Sequence, residues 1–87
     1  KIIRINFNES LHDLETKAKK ATEFLEEGRR VRIEMRLTGR EKMHTDISRN
    51  KFITFLGLIK VPFKYLKNIS IMSGFCDATI IKDNLVK

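Results

Sequence analysis

Apolar and polar residues alternate at the start of the chain, which predicts a strand that is buried on one side. Ile3, Ile5 and Phe7 share its apolar face. The period then changes to that of a helix, which begins after a Ser10 cap and ends at Gly28. One apolar stripe follows this helix. It consists of Leu11, Leu14, Ala18, Ala21 and Leu25, widened by Phe24.

A second alternation begins at Arg30 and predicts a strand with one core face and one cationic face. The core face carries Val31, Ile33, Met35 and Leu37. The opposite face carries Arg30, Arg32, Glu34, Arg36 and Thr38. The cationic face could line a track of phosphates or simply keep that side of the strand hydrated.

A polar loop, residues 39–44, leads into a less regular segment that we interpret as a second helix. The helix begins at His44 or Thr45, and Pro62 ends it because a proline ring cannot continue a helix. Its apolar positions are Ile47, Phe52, Phe55, Leu56 and Ile59. β-Branched and aromatic residues crowd the middle of this segment, so a buried strand is the alternative.

The remaining chain predicts a hairpin, with strands over residues 65–72 and 76–82 joined through Ser73-Gly74. The predicted order is β-α-β-α-β-β. This is an α+β fold with one four-stranded mixed sheet and two helices packed on one face. At 87 residues, the chain 1–87 is expected to form a single domain.

Composition excludes several classes of protein. No apolar run approaches the roughly 20 residues that a membrane span needs, and the first residues do not resemble a secretory signal. The single cysteine, Cys76, cannot form an internal disulfide, and we expect it to pack as a small apolar residue. One cysteine and two distant histidines provide no metal site, and no motif suggests a cofactor.

Charge is unevenly distributed along the chain, whose formal net charge is +7. Residues 1–28 hold five basic and six acidic residues, whereas residues 29–87 hold thirteen and five, a net charge of +8. Such asymmetry suits a polyanion, because neutralising its phosphates releases condensed counterions. The alternative is that the lysines and arginines serve only solubility.

The second strand and the loop after it carry a family resemblance. Arg36-Leu37-Thr38-Gly39-Arg40-Glu41 followed by His44, together with His12-Asp13 and Phe24-Leu25-Glu26-Glu27-Gly28 upstream, has the family's spacing without a gap. Residues 1–48 thus resemble the C-terminal domain of bacterial-type translation initiation factor three. The chain departs from the family pattern in its last hairpin, where Ser73-Gly74-Phe75 replaces Glu-Gly-Arg.

The resemblance implies a non-enzymatic domain that binds the small ribosomal subunit through its ribosomal RNA, near the peptidyl site. There it would prevent premature association with the large subunit and support selection of the start codon and initiator tRNA. It further implies a monomer without a membrane or small-molecule substrate, in the bacterial cytoplasm or an organelle matrix or stroma. The N-terminal domain and linker of the factor would be absent from these 87 residues.

The candidate RNA-binding residues are basic side chains in three places. They are Arg32, Arg36 and Arg40 on the second strand and its loop, Lys42, His44 and Arg49 beside the second helix, and Lys19 and Lys20 on the first helix. His44 could instead cap a helix. Lys19 and Lys20, with Lys17, could be a solvated face paired with Glu15 and Glu23. We expect Tyr65 and Phe75 to be the exposed aromatics, and binding to rest on phosphates with little base readout.

Other functions remain open alternatives. Catalysis by His12 with Asp13, or by His44 with Asp46 and Glu41, lacks a nucleophile motif or a closed pocket. A structural ribosomal protein or a general basic RNA-binding module could use the same scaffold. The apolar residues of 52–66 could alternatively form a protein-docking surface.

Overall fold

A computed structural model describes residues 1–37, 45–72 and 74–83. The elements follow the order β1 (Ile2–Asn6), α1 (Leu11–Glu26), β2 (Val31–Arg36), α2 (Thr45–Gly57), β3 (Phe63–Met72) and β4 (Phe75–Lys82). This order confirms the predicted α+β fold. The segment whose patterning also allowed a buried strand is helical.

The four strands form one mixed sheet in the order β1-β2-β4-β3. β1 and β2 are parallel, while β2–β4 and β3–β4 are antiparallel. Both helices cover one face of this sheet, and the core lies between them and the alternate strand residues Ile3, Ile5, Val31, Ile33, Met35, Cys76, Ala78 and Ile80. The opposite face, here called the open face, carries the intervening residues and has no covering layer among the described residues.

Both ends of α1 are fixed by local hydrogen bonds at the predicted residues. The Ser10 hydroxyl accepts a hydrogen bond from the backbone N–H of Asp13 at 3.2 Å. At the other end Gly28, at φ 81°, allows the N–H of Arg29 to reach the carbonyl of Phe24 at 3.0 Å. Leu11 is exposed, contrary to its assignment to the apolar stripe, because it lies at the first helical residue, ahead of the turn that packs.

α2 departs from its predicted bounds and phase. It ends at Gly57, well before Pro62, because the N–H groups of Leu58 and Ile59 bond carbonyls only three residues back. Ile47 is exposed and Ser48 is buried instead. The buried aromatics of the helix set this phase, because the residue one turn before Phe52 is Ser48.

The ends of the strands differ from prediction by one or two residues. β1 stops at Asn6 because its N–H and carbonyl turn to Glu9, which leaves Phe7 half-buried outside the strand. β3 already begins at Phe63, and its pairing with β4 shifts register around Lys67. The predicted hairpin is confirmed, with Gly74 at φ 85° in its turn.

Candidate RNA interface

Three parts of the chain meet at one end of the sheet, here called the turn end. β1 and β2 both finish there because they are parallel, and β3 turns into β4 beside them. The N–H of Leu37, just after β2, donates to the carbonyl of Gly74 at 2.7 Å. The same end therefore holds the tip of the hairpin and Arg36, the last residue of β2.

Arg36 and Arg49 are exposed cations associated with this end. Arg36 is the register partner of Phe75, the first residue of β4. Arg49 lies in the second turn of α2, and its charge acts on the thiol of Cys76, the residue after Phe75. Burial raises the pKa of that thiol to about 11, and Arg49 opposes the rise. Neither arginine has an acidic partner among the described residues.

Three other predicted RNA-binding residues, Arg40, Lys42 and His44, lie outside the described residues. They belong to residues 38–44, which join Leu37 at the turn end to Thr45 at the start of α2.

Most charges on the open face are paired with one another in a ladder that crosses all four strands. Arg4 on β1 contacts Glu34 on β2 at 3.1 Å, and the second carboxylate oxygen of Glu34 contacts Arg32 at 3.1 Å. Arg32 contacts Asp77 on β4 at 2.8 Å, and Asp77 is also 3.3 Å from the amine of Lys67 on β3. Three cations and two anions thus leave a net charge of only +1.

Asp77 is the least exposed charge in this ladder, since only 6% of the residue is accessible. Burial alone would raise the pKa of its carboxyl group, but hydrogen bonds from Arg32 and Lys67 outweigh that effect and hold the pKa below its usual value. In turn, the hydrogen bond to Asp77 raises the pKa of Arg32. Asp77 and Arg32 therefore stabilise each other's charged form.

This pairing changes the interpretation of Arg32. Sequence patterning groups it with Arg36 on one cationic face, yet Arg32 already contacts two carboxylates, whereas Arg36 contacts none among the described residues. A phosphate approaching Arg32 would have to compete with Glu34 and Asp77. Arg36 offers its guanidinium without that competition.

Lys19 and Lys20 lie on the helix side of the domain, away from the turn end. Lys19 lines a cleft with Glu15, Thr22, Leu58 and Lys60. The amine of Lys20 lies 5.9 Å from the centre of the Phe24 ring, which Lys1 at the start of β1 also contacts. The lysines are thus separate from Arg36 and Arg49.

The acidic partners predicted for the α1 lysines, Glu15 and Glu23, were wrong, because neither pairs with a lysine among the described residues. Lys17 contacts Glu9 at 2.8 Å rather than Glu15 or Glu23, because its amine also donates to the carbonyl of Arg4 at 2.6 Å, near the connection that holds Glu9. Lys19 and Lys20 form no ion pair with a described residue. Both remain exposed.

Sequence reasoning missed Asp77 and its role. The available signal was alternation in β4, which places Phe75, Asp77 and Thr79 on the face opposite Cys76 and Ala78. The expectation that Tyr65 and Phe75 are exposed is confirmed, at 43% and 44%. Cys76 is buried, as predicted.

Two further findings concern the described residues alone. None of their helices has the length and apolar character needed to cross a membrane. Over residues 1–37, 45–72 and 74–83, no three or more histidine, cysteine or acidic side chains are grouped so as to hold a metal ion.

Comparison with known proteins gives one consistent family. Residues 1–69 match the family model described as translation initiation factor IF-3, C-terminal domain. The match extends beyond residue 48, where the resemblance seen in the sequence stopped.

Curated relatives agree with this match. The chain is 41% identical over 81 residues to translation initiation factor IF-3 of Mycoplasma capricolum, a match that covers 93% of this chain and 45% of the relative. It is 40% identical over 81 residues to the factor of Mesoplasma florum, with the same coverage. It is 33% identical over 77 residues to the chloroplastic factor of Cyanidioschyzon merolae, covering 80% of this chain and 44% of the relative. The chain thus spans less than half the length of these relatives.

Proposed function

Because this chain belongs to the family of the C-terminal domain of translation initiation factor IF-3, we propose that it binds the small ribosomal subunit through ribosomal RNA near the peptidyl site. Bound there, it prevents premature association with the large subunit and supports selection of the start codon and initiator tRNA. It acts by binding rather than by catalysis, as a monomer. Its compartment is the bacterial cytoplasm or an organelle matrix or stroma.

The observation that carries this proposal is the contrast between paired and unpaired cations. The ladder neutralises Arg32 with described carboxylates, while Arg36 and Arg49 have none. The segment between these two arginines adds Arg40, Lys42 and His44 in sequence. Two arginines without a described acidic partner therefore flank, in sequence, a segment that carries further basic residues.

Arginine at such a place suits a phosphate backbone. Its planar guanidinium can donate two parallel hydrogen bonds to phosphate oxygens, and at an exposed site this requires no buried charge. Each phosphate neutralised also releases a condensed counterion. We expect Arg36, Arg40, Lys42, His44 and Arg49 to form the principal RNA contact.

Arg32, Lys19 and Lys20 have lesser parts in this proposal. Arg32 holds the sheet together through Asp77 and adds only its field to RNA binding. Lys19 and Lys20, on the helix side, attract RNA by long-range electrostatics, and the range of this attraction shortens as salt is added.

The test is co-sedimentation of the 87-residue chain with purified small subunits across a salt series, with and without large subunits. We expect binding that weakens with salt and is lost when the subunits join. Arg36→Gln should weaken binding and reduce the slope of log affinity against log salt by about 1. Arg30→Gln is the matched control, since it removes the same charge from an exposed position just before β2.

Equal losses for Arg36→Gln and Arg30→Gln would contradict the placement of the interface and leave only a general effect of charge. Binding to any RNA alike, or retention in joined ribosomes, would contradict the factor role. Those results would favour a general RNA-binding module or a structural ribosomal protein, respectively.

A further inference from the structure

One transverse row of exposed residues crosses the open face at the turn end. Strand register places Asn6 beside Arg36, Arg36 beside Phe75, and Phe75 beside Met72. Register partners on neighbouring strands point to the same face, so the four side chains share one surface. We call these four residues the terminal row.

The terminal row combines an uncovered ring with an unpaired cation. Phe75 is 44% exposed and Met72 is 67% exposed. Among the described residues, the Phe75 ring has neither an aromatic partner nor a cation over its face, unlike the rings of Phe24, Phe63 and Tyr65. Arg36, its neighbour, has no described acidic partner.

A cleft of about 430 Å³ borders this row and is lined by Arg4, Ile5, Asn6, Glu34, Arg36 and Phe75. Glu34 would repel an anion, but its two carboxylate oxygens already contact Arg4 and Arg32 at 3.1 Å. The cleft thus has an apolar wall at Phe75, an available guanidinium at Arg36 and an amide at Asn6 that can both donate and accept hydrogen bonds.

We propose that Phe75 is a stacking platform for one unpaired nucleobase of the bound RNA, with Arg36 contacting an adjoining phosphate. The inference rests on the proposed function and extends it, because it adds a base contact to an interface otherwise made of phosphate contacts. An exposed ring accepts any base by stacking, and a neighbouring cation holds the backbone. Asn6 lines the same cleft as Phe75, on the far side of Arg36.

The pairing of ring and cation favours RNA over an apolar peptide as the occupant. A purely hydrophobic partner would leave Arg36 facing it without a counter-charge, which costs affinity. A nucleotide satisfies both groups, because it has an apolar ring face and an anionic phosphate. The net charge of +7 attracts the same ligand from a distance.

The probe is a single-stranded RNA octanucleotide labelled for fluorescence anisotropy, together with a series in which one abasic nucleotide is moved along the strand. The variant Phe75→Leu keeps apolar bulk and removes the aromatic ring. The variant Phe75→Tyr keeps an aromatic ring. Tyr65→Leu is the matched control, since Tyr65 is 43% exposed and lies on β3 outside the terminal row.

We expect Phe75→Leu to weaken binding by roughly 5- to 150-fold, the usual range for loss of one stacked base. Phe75→Tyr should remain within about threefold of wild type because the stacking face is kept. Phe75→Leu should not change the salt slope, whereas Arg36→Gln should lower it by about 0.7, the value for one single-strand phosphate. An abasic nucleotide should weaken binding to wild type when it occupies a preferred position in the strand. It should not weaken binding to Phe75→Leu at any position.

Each of three results with the octanucleotide would overturn the stacking role. They are a loss in Phe75→Leu no larger than in Tyr65→Leu, a salt slope that falls with Phe75→Leu, or equal abasic penalties in wild type and Phe75→Leu. Weaker binding of Phe75→Leu to whole subunits without any abasic penalty would also overturn it, and would identify a protein contact. Ring-proton shifts of Phe75 on titrating wild type with the octanucleotide test the contact without a variant, and unshifted protons would contradict it.

Failure of this inference can be distinguished from failure of the proposed function. If Phe75→Leu leaves both octanucleotide and small-subunit binding at wild-type strength, only the stacking role is refuted. If the octanucleotide stacks on Phe75 but wild type does not co-sediment with small subunits, the initiation role is refuted and the nucleobase site stands.

Discussion

Replacing Asp77 with asparagine removes the central anion of the ladder while keeping the shape of the side chain. The Asp77 side chain is 9% exposed and contacts Arg32 at 2.8 Å and Lys67 at 3.3 Å. Both cations are about half exposed, so water can solvate them after the charge is lost. Asp77→Asn should therefore destabilise the domain without leaving a buried unpaired cation.

The size of the effect lies between two known limits. Exposed ion pairs contribute at most about 1 kcal/mol, whereas breaking a fully buried pair costs about 3–5 kcal/mol. Asp77 is buried but its partners are not, and asparagine still accepts one hydrogen bond. We expect a loss of about 1–2 kcal/mol in the free energy of unfolding. For a domain of this size, the melting temperature should fall by roughly 4–15 °C.

The pH dependence follows from the lowered pKa of Asp77. A carboxyl group whose pKa is lower in the folded than in the unfolded chain stabilises the fold above the unfolded value of about 3.9. That stabilisation is lost as pH falls through the folded pKa. Wild type and Asp77→Asn should therefore differ equally at about pH 7 and pH 5, and the difference should shrink towards about pH 3.

Urea denaturation followed by circular dichroism at these pH values measures the difference. Glu23→Gln is the control, because Glu23 is an exposed carboxylate without a described ion-pair partner. If Asp77→Asn is as stable as wild type near neutral pH, the ladder does not stabilise the fold. A difference undiminished at low pH would show that the effect is not due to the carboxylate charge.

Three further predictions concern RNA affinity, glycines and the thiol. Asp77→Asn should bind the RNA octanucleotide more tightly and with a steeper salt dependence than wild type, because Arg32 and Lys67 lose their anion; unchanged binding would contradict the neutralising role of the ladder. Gly28→Ala should lower the free energy of unfolding by about 1 kcal/mol because alanine is strained at φ 81°, whereas Gly57→Ala should raise it by about 0.5–1 kcal/mol. An added Cβ meets nothing within 4 Å at either residue, so the backbone conformation sets the two signs. Urea denaturation of both variants tests these opposite signs. Cys76 should react with a thiol reagent at about pH 8 only as fast as the domain opens, because burial raises its pKa to about 11; rapid labelling of the folded protein would contradict this.

Local patterning predicted the elements of this fold because each pattern has a local cause. The Ser10 cap, the glycine after α1 and the alternation in β2 each depend on a few neighbouring residues, and the structure confirms all three. The predictions that Ile47 is an apolar core position and that α2 ends at Pro62 were wrong. Several phases of a short apolar helix are compatible with this sequence. Only packing of Phe52 and Phe55 against the sheet selects among them.

The candidate interface was harder to predict, because charge pairing depends on register between distant strands. Arg32 and Asp77 are separated by 45 residues, and only the order β1-β2-β4-β3 brings β2 and β4 together. A shift of one residue in that pairing would turn Asp77 into the core. The alternation of β2 makes Arg32 and Arg36 equivalent, whereas register places Asp77 diagonally across from Arg32, within 2.8 Å of its guanidinium, and Phe75 directly opposite Arg36. Net charge thus indicates that a polyanion can bind, and strand register determines which arginine is available to bind it.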